Sequence, residues 1–212
     1  MKLTKERIVD AGMATFAESG YHGLSMRQVA ERLGAHAGSL YYHVRSKDEL
    51  LALMADRVCR HAYDAGSTAL AALPPEATWQ EEIEVQAAEL RRSIQRHPGG
   101  ALLLADSPGT LSTGGLSLME RLLKTLLDAG VPAEHCGIAA DTLLSHVTGF
   151  VLQEQAEPQV PTVTAESHAD LRAHFPLVME RVPRLSQNEK FRRSIRLLCT
   201  AFDTLTKNDG SA

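Results

Sequence analysis

Cysteine is scarce in this chain. Cys59, Cys136 and Cys199 are far apart and odd in number. That argues against a disulfide framework and fits reduced thiols in a cytoplasm. Long apolar runs are missing too. None approaches the roughly 18–20 residues needed to span a bilayer, so no membrane partner is expected. The basic start, Met-Lys-Leu-Thr-Lys-Glu-Arg, is followed by apolar residues broken by Asp10 and Glu18. No signal-peptide core forms, and a cytoplasmic location is expected. Sustained β-type alternation, long repeats and low-complexity tracts are also absent. So are the signatures of common enzymes: a Gly-rich phosphate loop, His-Glu-x-x-His and Gly-x-Ser-x-Gly. Cys59 with His61, and His135 with Cys136, each offer two metal ligands, but no second pair at zinc spacing accompanies them. Neither enzymatic activity, nor a metal, nor a cofactor is expected.

What is present is ordinary globular composition. Hydrophobic residues make up 44% and charged residues 23% of 212 residues, enough for a sizeable core. The net charge of -4 argues at first against nucleic acid. Its distribution softens that objection. Residues 1–50 hold seven Lys/Arg against six Asp/Glu, whereas the rest holds 15 against 20. A small DNA-binding head on an acidic body has this pattern, and so does an enzyme with an unremarkable surface.

Apolar residues recur at helical spacing almost throughout, and the expected fold class is all-α. A first helix is predicted over 5–18, burying Ile8, Ala11, Met13 and Phe16 and ended by Gly20. Ser25 caps a second helix, with Gln28 completing a capping box and Met26, Val29, Ala30 and Leu33 on its apolar face. Gly34 stops it. A short third helix is predicted over 36–43. Ser46 and Glu49 form a second capping box at the start of a fourth helix, which runs through Leu50, Leu51, Met54 and Val58 towards His61. Ala72-Leu-Pro-Pro is the expected domain boundary. Beyond it helices are predicted at about 78–96, 99–106, 112–129, 134–156, 166–181 and 187–206. Pro98, Pro108-Gly109, Gly130-Val-Pro132, Pro158 with Pro161, and Pro183 separate them.

Two short helices about a Gly turn, packed on an earlier helix, form a helix-turn-helix, whose second helix enters the major groove. Here that helix reads His36-Ala-Gly-Ser-Leu-Tyr-Tyr-His43. Leu40 anchors it. Ala37 and Gly38 permit close approach, and Ser39 can bond a base edge or a phosphate. Tyr41, Tyr42 and His43 can reach phosphates or lay ring surface on sugars and thymine methyls. His36 is assigned with Ser39 and Tyr42 to specificity. Arg27 and Lys47 supply charge, Lys47 beside a helix N-terminus that already favours phosphate. Taken alone, a Gly-bounded helix with two tyrosines is more often core packing than a DNA reader.

The stretch from Ile8 to Leu51 resembles the tetracycline-repressor (TetR) family. The resemblance rests on Ala11, Phe16, Gly20-Tyr-His-Gly-Leu-Ser25, Arg27, Val29-Ala30, Leu33-Gly34, Ser39-Leu-Tyr-Tyr-His-Val44 and Ser46-Lys-Asp-Glu-Leu-Leu51. It implies a three-helix DNA-binding head over 1–50 and a connector helix over about 46–63. It also implies a helical ligand-binding and dimerisation domain over 73–207. The implied partners are a palindromic double-stranded DNA operator, a second copy of the chain, and an inducer that moves the fourth helix. A second stretch, 79–154, resembles the C-terminal domain of the tetracycline-binding members, most clearly in Ser145-His-Val-Thr-Gly-Phe-Val-Leu-Gln-Glu-Gln155. The ligand does not carry over. Leu104 stands where those members have a magnesium-binding histidine, and Tyr63 stands where they have an inducer-contacting one. Gln153 aligns with their chelating glutamate, with Glu154 adjacent.

In the body, Ser186 to Glu189 forms another capping box, followed by Phe191, Ile195, Leu198, Phe202 and Leu205 at three- and four-residue spacing. Ile138, Leu143, Val147, Phe150 and Val151 mark the helix over 134–156. The family packs these two helices against their symmetry mates, with Leu198 and Phe202 as the expected contacts. Intramolecular core explains the periodicity equally well. The expected pocket residues are Tyr63, Gln86, Leu90, Leu104, Leu123, His146 and Phe150. They mix apolar surface with a few polar groups, as ligand sites do, and imply a hydrophobic or amphipathic inducer. The rival class is a helical small-molecule carrier or enzyme without DNA binding.

Overall fold

The computed structural model describes residues 2–106, 112–156, 165–181 and 185–207. Its regular elements there are all α-helices: α1 (Lys5–Gly23), α2 (Met26–Leu33), α3 (Ala37–Leu40), α4 (Lys47–Ala71), α5 (Trp79–Gln95), α6 (Gly100–Asp106), α7 (Thr113–Asp128), α8 (Ala133–Gln155), α9 (Ala165–His174), α10 (Pro176–Arg181) and α11 (Gln187–Lys207). The breaks expected at Pro108-Gly109, at Pro158 and Pro161, and at Pro183 lie outside the described residues.

The head closes around Ile8, Phe16, Val29, Leu40 and Val44, all buried. Gly34 sits at φ 61°, ψ 35°, and its N–H donates to the carbonyls of Ala30 and Glu31. That left-handed cap is the turn of the helix-turn-helix. The first helix breaks at Gly20, as expected, where φ is 67° and ψ is -173°, and a further short helical stretch follows to Gly23. The third helix is shorter than expected. Regular helix ends at Leu40, and Val44 N–H closes the stretch by donating to the Leu40 carbonyl at 2.8 Å. Leu40 and Val44 are both buried there, so the chain turns to bring each inward.

The capping boxes resolve differently from their sequence form. Ser25 and Ser46 accept from the backbone N–H of Gln28 and Glu49 as expected. The return bonds differ. Gln28 meets the Ser25 hydroxyl at 3.0 Å, and Glu49 accepts from Arg45 N–H at 2.7 Å. Glu189 turns to Arg192 and Arg193. The complete reciprocal box is Thr78 with Glu81, at the start of α5.

α4 extends to Ala71, well past His61. The single helix expected over 166–181 is two, because Pro176 lacks an N–H and disfavours helical backbone at Phe175. In the body, α5, α7 and α8 pack around Ile83, Leu90, Leu122, Leu126, Leu143 and Val147, all buried. The periodicity of α11 was read only half correctly. Phe202 faces this core and is buried, and Leu198 is half-buried. They are held within the subunit and are not the outward face.

Arg91 ties three body helices together. Its Nε donates to Glu154 of α8 at 2.9 Å, and its Nη1 donates to Asn188 Oδ1 at the start of α11 at 2.9 Å. The guanidinium lies 4.8 Å from the centre of the Phe191 ring. Both members of the Arg91–Glu154 pair have side chains only 11% exposed. Removing one partner strands a desolvated charge, which costs far more than removing both. Glu154→Leu is therefore expected to destabilise the protein by about 3 kcal/mol. Adding Arg91→Met should recover more than half of that loss, read by urea unfolding at fixed protein concentration.

Candidate nucleic-acid and ligand sites

Between Gly34 and Ser46 the chain projects a short ridge from the head. His36 caps α3 without a side-chain bond to the helix, and it is exposed together with Gly38 and Ser39. Tyr41 is half exposed, and Tyr42 is 89% exposed. Its ring contact is an edge-on one with the neighbouring His43, centroids 5.2 Å apart. Ala37 and His43 are half-buried. A tyrosine standing this far into solvent buries nothing inside the protein, and its position does not serve the core. Gly38 is similar. A Cβ added there would meet no atom within 4 Å, so no packing within the subunit requires a glycine.

The two cations flank the ridge unequally. Arg27 is exposed and paired with Glu31 at 2.9 Å. Lys47 is half-buried. It donates to the Tyr21 carbonyl at 3.0 Å and sits 4.7 Å from the centre of the Tyr21 ring. An ammonium has three donors, so this anchor leaves capacity for an anion. Glu49 behind it is held below the ordinary carboxylate range, first by the Arg45 N–H and then by Lys5. The sequence reading passed over Tyr21 and Arg45. Tyr21 lies in the Gly20-to-Ser25 stretch already quoted for the resemblance. Arg45 is an exposed cation just before the α4 cap.

The seven candidate ligand residues do not share one cavity. Gln86 and Leu90 line a closed space between α5, α7 and α8, with Ile83, Leu118, Leu143 and Val147. It holds only about 10 Å³, scarcely a water. Tyr63 and Leu123 line an open cleft between α4 and α7 of about 680 Å³, with Leu116, Met119 and Arg121. Leu104 on α6 is half-buried and lines neither. His146 and Phe150 lie at the α8–α11 seam. His146 Nε2 is 2.6 Å from Ser194 Oγ, and Phe150 meets Phe191 edge-on with centroids 5.1 Å apart. Burial lowers the His146 pKa, which favours the neutral ring. A third cleft, of about 450 Å³, lies between α1 and α4 and is lined by charged residues such as Lys5, Asp56, Arg57 and Arg60.

Gln86 borders the small apolar space between α5, α7 and α8 but turns its amide to α7. Its amide accepts from Arg121 Nε at 3.1 Å and donates to Thr125 Oγ1 at 3.0 Å. Arg121 was missed in the sequence. The available signal was a cation three residues after Leu118 and directly before Leu122, in the apolar register of α7. Among the described residues no cluster of three or more metal-ligating side chains occurs, and no helix is long and apolar enough to cross a membrane.

A separate apolar stripe runs along the outside of the body. Ile138 on α8 is 69% exposed and Leu197 on α11 is 71% exposed. Asp141, Thr142, Ser145 and Leu152 continue the exposed face of α8, and Ala201 and Thr204 that of α11.

A three-helix head with an exposed recognition ridge, joined through one long helix to a helical body, is the architecture of a helix-turn-helix regulator. A profile described as bacterial regulatory proteins, tetR family, matches residues 8–54. A second, described as tetracyclin repressor-like, C-terminal domain, matches residues 71–197. The chain is 31% identical over 188 residues to an HTH-type transcriptional regulator of Saccharopolyspora erythraea, covering 85% of this chain and 75% of that relative. It is similar to the Streptomyces coelicolor TetR-family protein ActR in complex with actinorhodin. That likeness has a TM-score of 0.81 at 25% identity, over 98% of this chain and 100% of that one. It is also similar to BioQ with its double-stranded DNA operator, with a TM-score of 0.69 at 25% identity over 96% and 99% of the two chains. The chain belongs to the TetR family of bacterial regulatory proteins. The family is dimeric and its members are DNA-binding regulators.

Gly38 offers a clean test of the ridge. Gly38→Ala is sterically free inside the subunit and favours helix by up to about 1 kcal/mol. It is expected to hold or raise thermal stability while weakening operator binding at least fivefold in fluorescence anisotropy. Unchanged affinity would show that nothing approaches this position closely.

Proposed function

We propose that this protein is a cytoplasmic, non-enzymatic repressor. It binds a palindromic operator as a homodimer and releases it when a hydrophobic or amphipathic molecule enters the body. The observation that carries the reading is the ridge of His36, Ser39, Tyr41 and Tyr42, exposed yet held rigidly by Leu40 and Val44. Arg27 and Lys47 contact phosphates; His36, Ser39 and Tyr42 read bases. Ala37, Gly38, Tyr41 and His43 shape the close approach. BioQ, similar in fold, is known with its operator, and ActR with actinorhodin. Both support this reading by analogy. An electrophoretic shift on the DNA upstream of its own gene is the direct test. A carrier or enzyme would show only weak, salt-sensitive binding to any sequence.

The dimer face is the outer stripe of Ile138, Thr142, Ser145 and Leu152 with Leu197 and Ala201. Two isoleucine- or leucine-sized side chains about 70% exposed on adjacent helices favour burial against a second copy. Ile138→Glu with Leu197→Glu is expected to yield monomers in sedimentation at micromolar concentration, with helicity retained. An unaltered dimer would place the interface elsewhere.

The inducer enters at the Tyr63–Leu123 cleft between α4 and α7 and reaches towards Gln86 and Leu90, whose own space the unliganded body keeps nearly shut; Leu104, His146 and Phe150 stand apart from both. Entry therefore has to separate α7 from α4 and α5. Leu104 offers no metal ligand, so induction is expected to survive EDTA. Reciprocity is the quantitative check: inducer and operator must weaken each other by the same factor, measured by calorimetry in both orders. For the head, Lys47→Ala is expected to weaken binding to all sequences. It should reduce the slope of log affinity against log salt by about 0.9, one phosphate's share.

A further inference from the structure

Arg121 is a half-buried cation that forms no ion pair among the described residues. It is inserted between the connector helix and the body. Its Nε donates to Gln86 Oε1 at 3.1 Å on α5. Its Nη1 donates to the Tyr63 carbonyl at 2.7 Å and to Ser67 Oγ at 2.9 Å, both on α4. The guanidinium carbon lies 4.5 Å from the centre of the Tyr63 ring. Nη2 is buried and has no hydrogen-bond partner. It fits only because residue 66 is a glycine, since a Cβ there would collide with it. Burial also pulls the pKa of the guanidinium below its ordinary value. A desolvated cation with an empty donor is an incomplete site.

The geometry points to an acidic amphiphile as the effector: an apolar body lying against Tyr63, Leu116, Met119 and Leu123, and one anionic group pairing with Arg121. The inference rests on the repressor reading and specifies its ligand. The cleft, at about 680 Å³, is of the size that holds small organic molecules. A carboxylate, sulfonate or phenolate supplies the contact counter-charge that Asp64 provides only at longer range, and a carboxylate meets two guanidinium N–H groups at once. Nη2 is covered by α4 at Gly66. An anion reaches it only if that turn of α4 moves outward or if Arg121 swings off Tyr63 and Ser67. Either movement breaks the Arg121 bonds between α7 and the second half of the connector helix. Binding and displacement of α4 are then one event, and the anion gains its differential affinity from the displaced state.

The test uses the full-length dimer and two probes. One is 1-anilinonaphthalene-8-sulfonate. The other is N-phenyl-1-naphthylamine, the same rings without the sulfonate. The sulfonate probe is expected to bind saturably and to weaken operator binding by the wild type. Arg121→Met should weaken it at least tenfold while changing the neutral probe less than twofold. Gly66→Ala, which keeps the cation but expels it from its slot, should weaken operator binding at least threefold with no probe present. It serves as the second readout if Arg121→Met folds poorly. No saturable sulfonate binding, equal losses for both probes, or probe binding without operator release would overturn the inference. A wild type that binds operator but whose probe affinity ignores Arg121 removes only this inference. A wild type that does not bind operator removes the repressor reading, whatever the probes do.

Discussion

α4 is shared by head and body within one continuous core, and that constraint governs the molecule. Its first half buries Leu50, Leu51 and Met54 against the head, and its second half buries Val58, Ala62 and Gly66 against the body. The helix has 25 residues and spans about 37 Å at 1.5 Å per residue. The body holds its second half through side-chain bonds at successive positions. Gly114 N–H donates to Asp56 at 2.7 Å, Ser93 Oγ to the Val58 carbonyl at 2.8 Å, and Arg121 to the Tyr63 carbonyl at 2.7 Å. A helix clamped this way behaves as a lever. A change in the separation of α7 and α4 is carried towards the head along α4, which is continuous from Lys47 to Ala71.

The head was legible in the sequence because its signals are local. Gly34 announces a left-handed cap, Ser25 and Ser46 announce helix starts, and each does in the structure what its chemistry demands. The length of α4 was not legible. After His61 the chain reads Ala-Tyr-Asp-Ala-Gly-Ser-Thr, which resembles a loop. In the fold, Ser67 and Thr68 donate back to the carbonyls of Tyr63 and Asp64 at 2.8 and 3.1 Å. Hydroxyls that satisfy themselves on the preceding turn cost the helix little. Gly66 is needed there because a guanidinium from α7 lies against it.

Periodicity also failed to tell inside from outside on α11. Phe202 and Leu197 both belong to apolar rows of that helix. One row meets α5 and α8, while the other meets solvent in the single subunit. A pattern with a period near 3.6 marks apolar faces without naming what covers them. Charge is no better a guide to burial. Arg91 and Arg121 look like solvated positions, yet both are folded into seams between helices. There the long aliphatic stem and flat guanidinium pack on Phe191 and on Tyr63. The candidate pocket was scattered for the same reason. Its polar members were chosen for facing inward, whereas the groups that organise it are cations that sequence rules assign to the surface.

The two Arg seams differ in one respect that bears on function. Arg91 is fully answered: Glu154, Asn188 and two aromatic rings satisfy it, so its helices are locked. Arg121 donates its hydrogen bonds to neutral groups, an amide, a carbonyl and a hydroxyl, with Asp64 acting on it only at longer range. Hydrogen bonds of this kind contribute on the order of 1 kcal/mol net each, more when one partner is charged. Moving a two-state equilibrium from 1:99 to 99:1 takes about 5.5 kcal/mol of differential affinity. The clamp on α4 is strong enough to keep the heads in register without a ligand and weak enough for one small molecule to overturn. A body locked throughout as it is at Arg91 would bind DNA and never let go. The unsatisfied cation placed against the lever is what leaves this fold a second state.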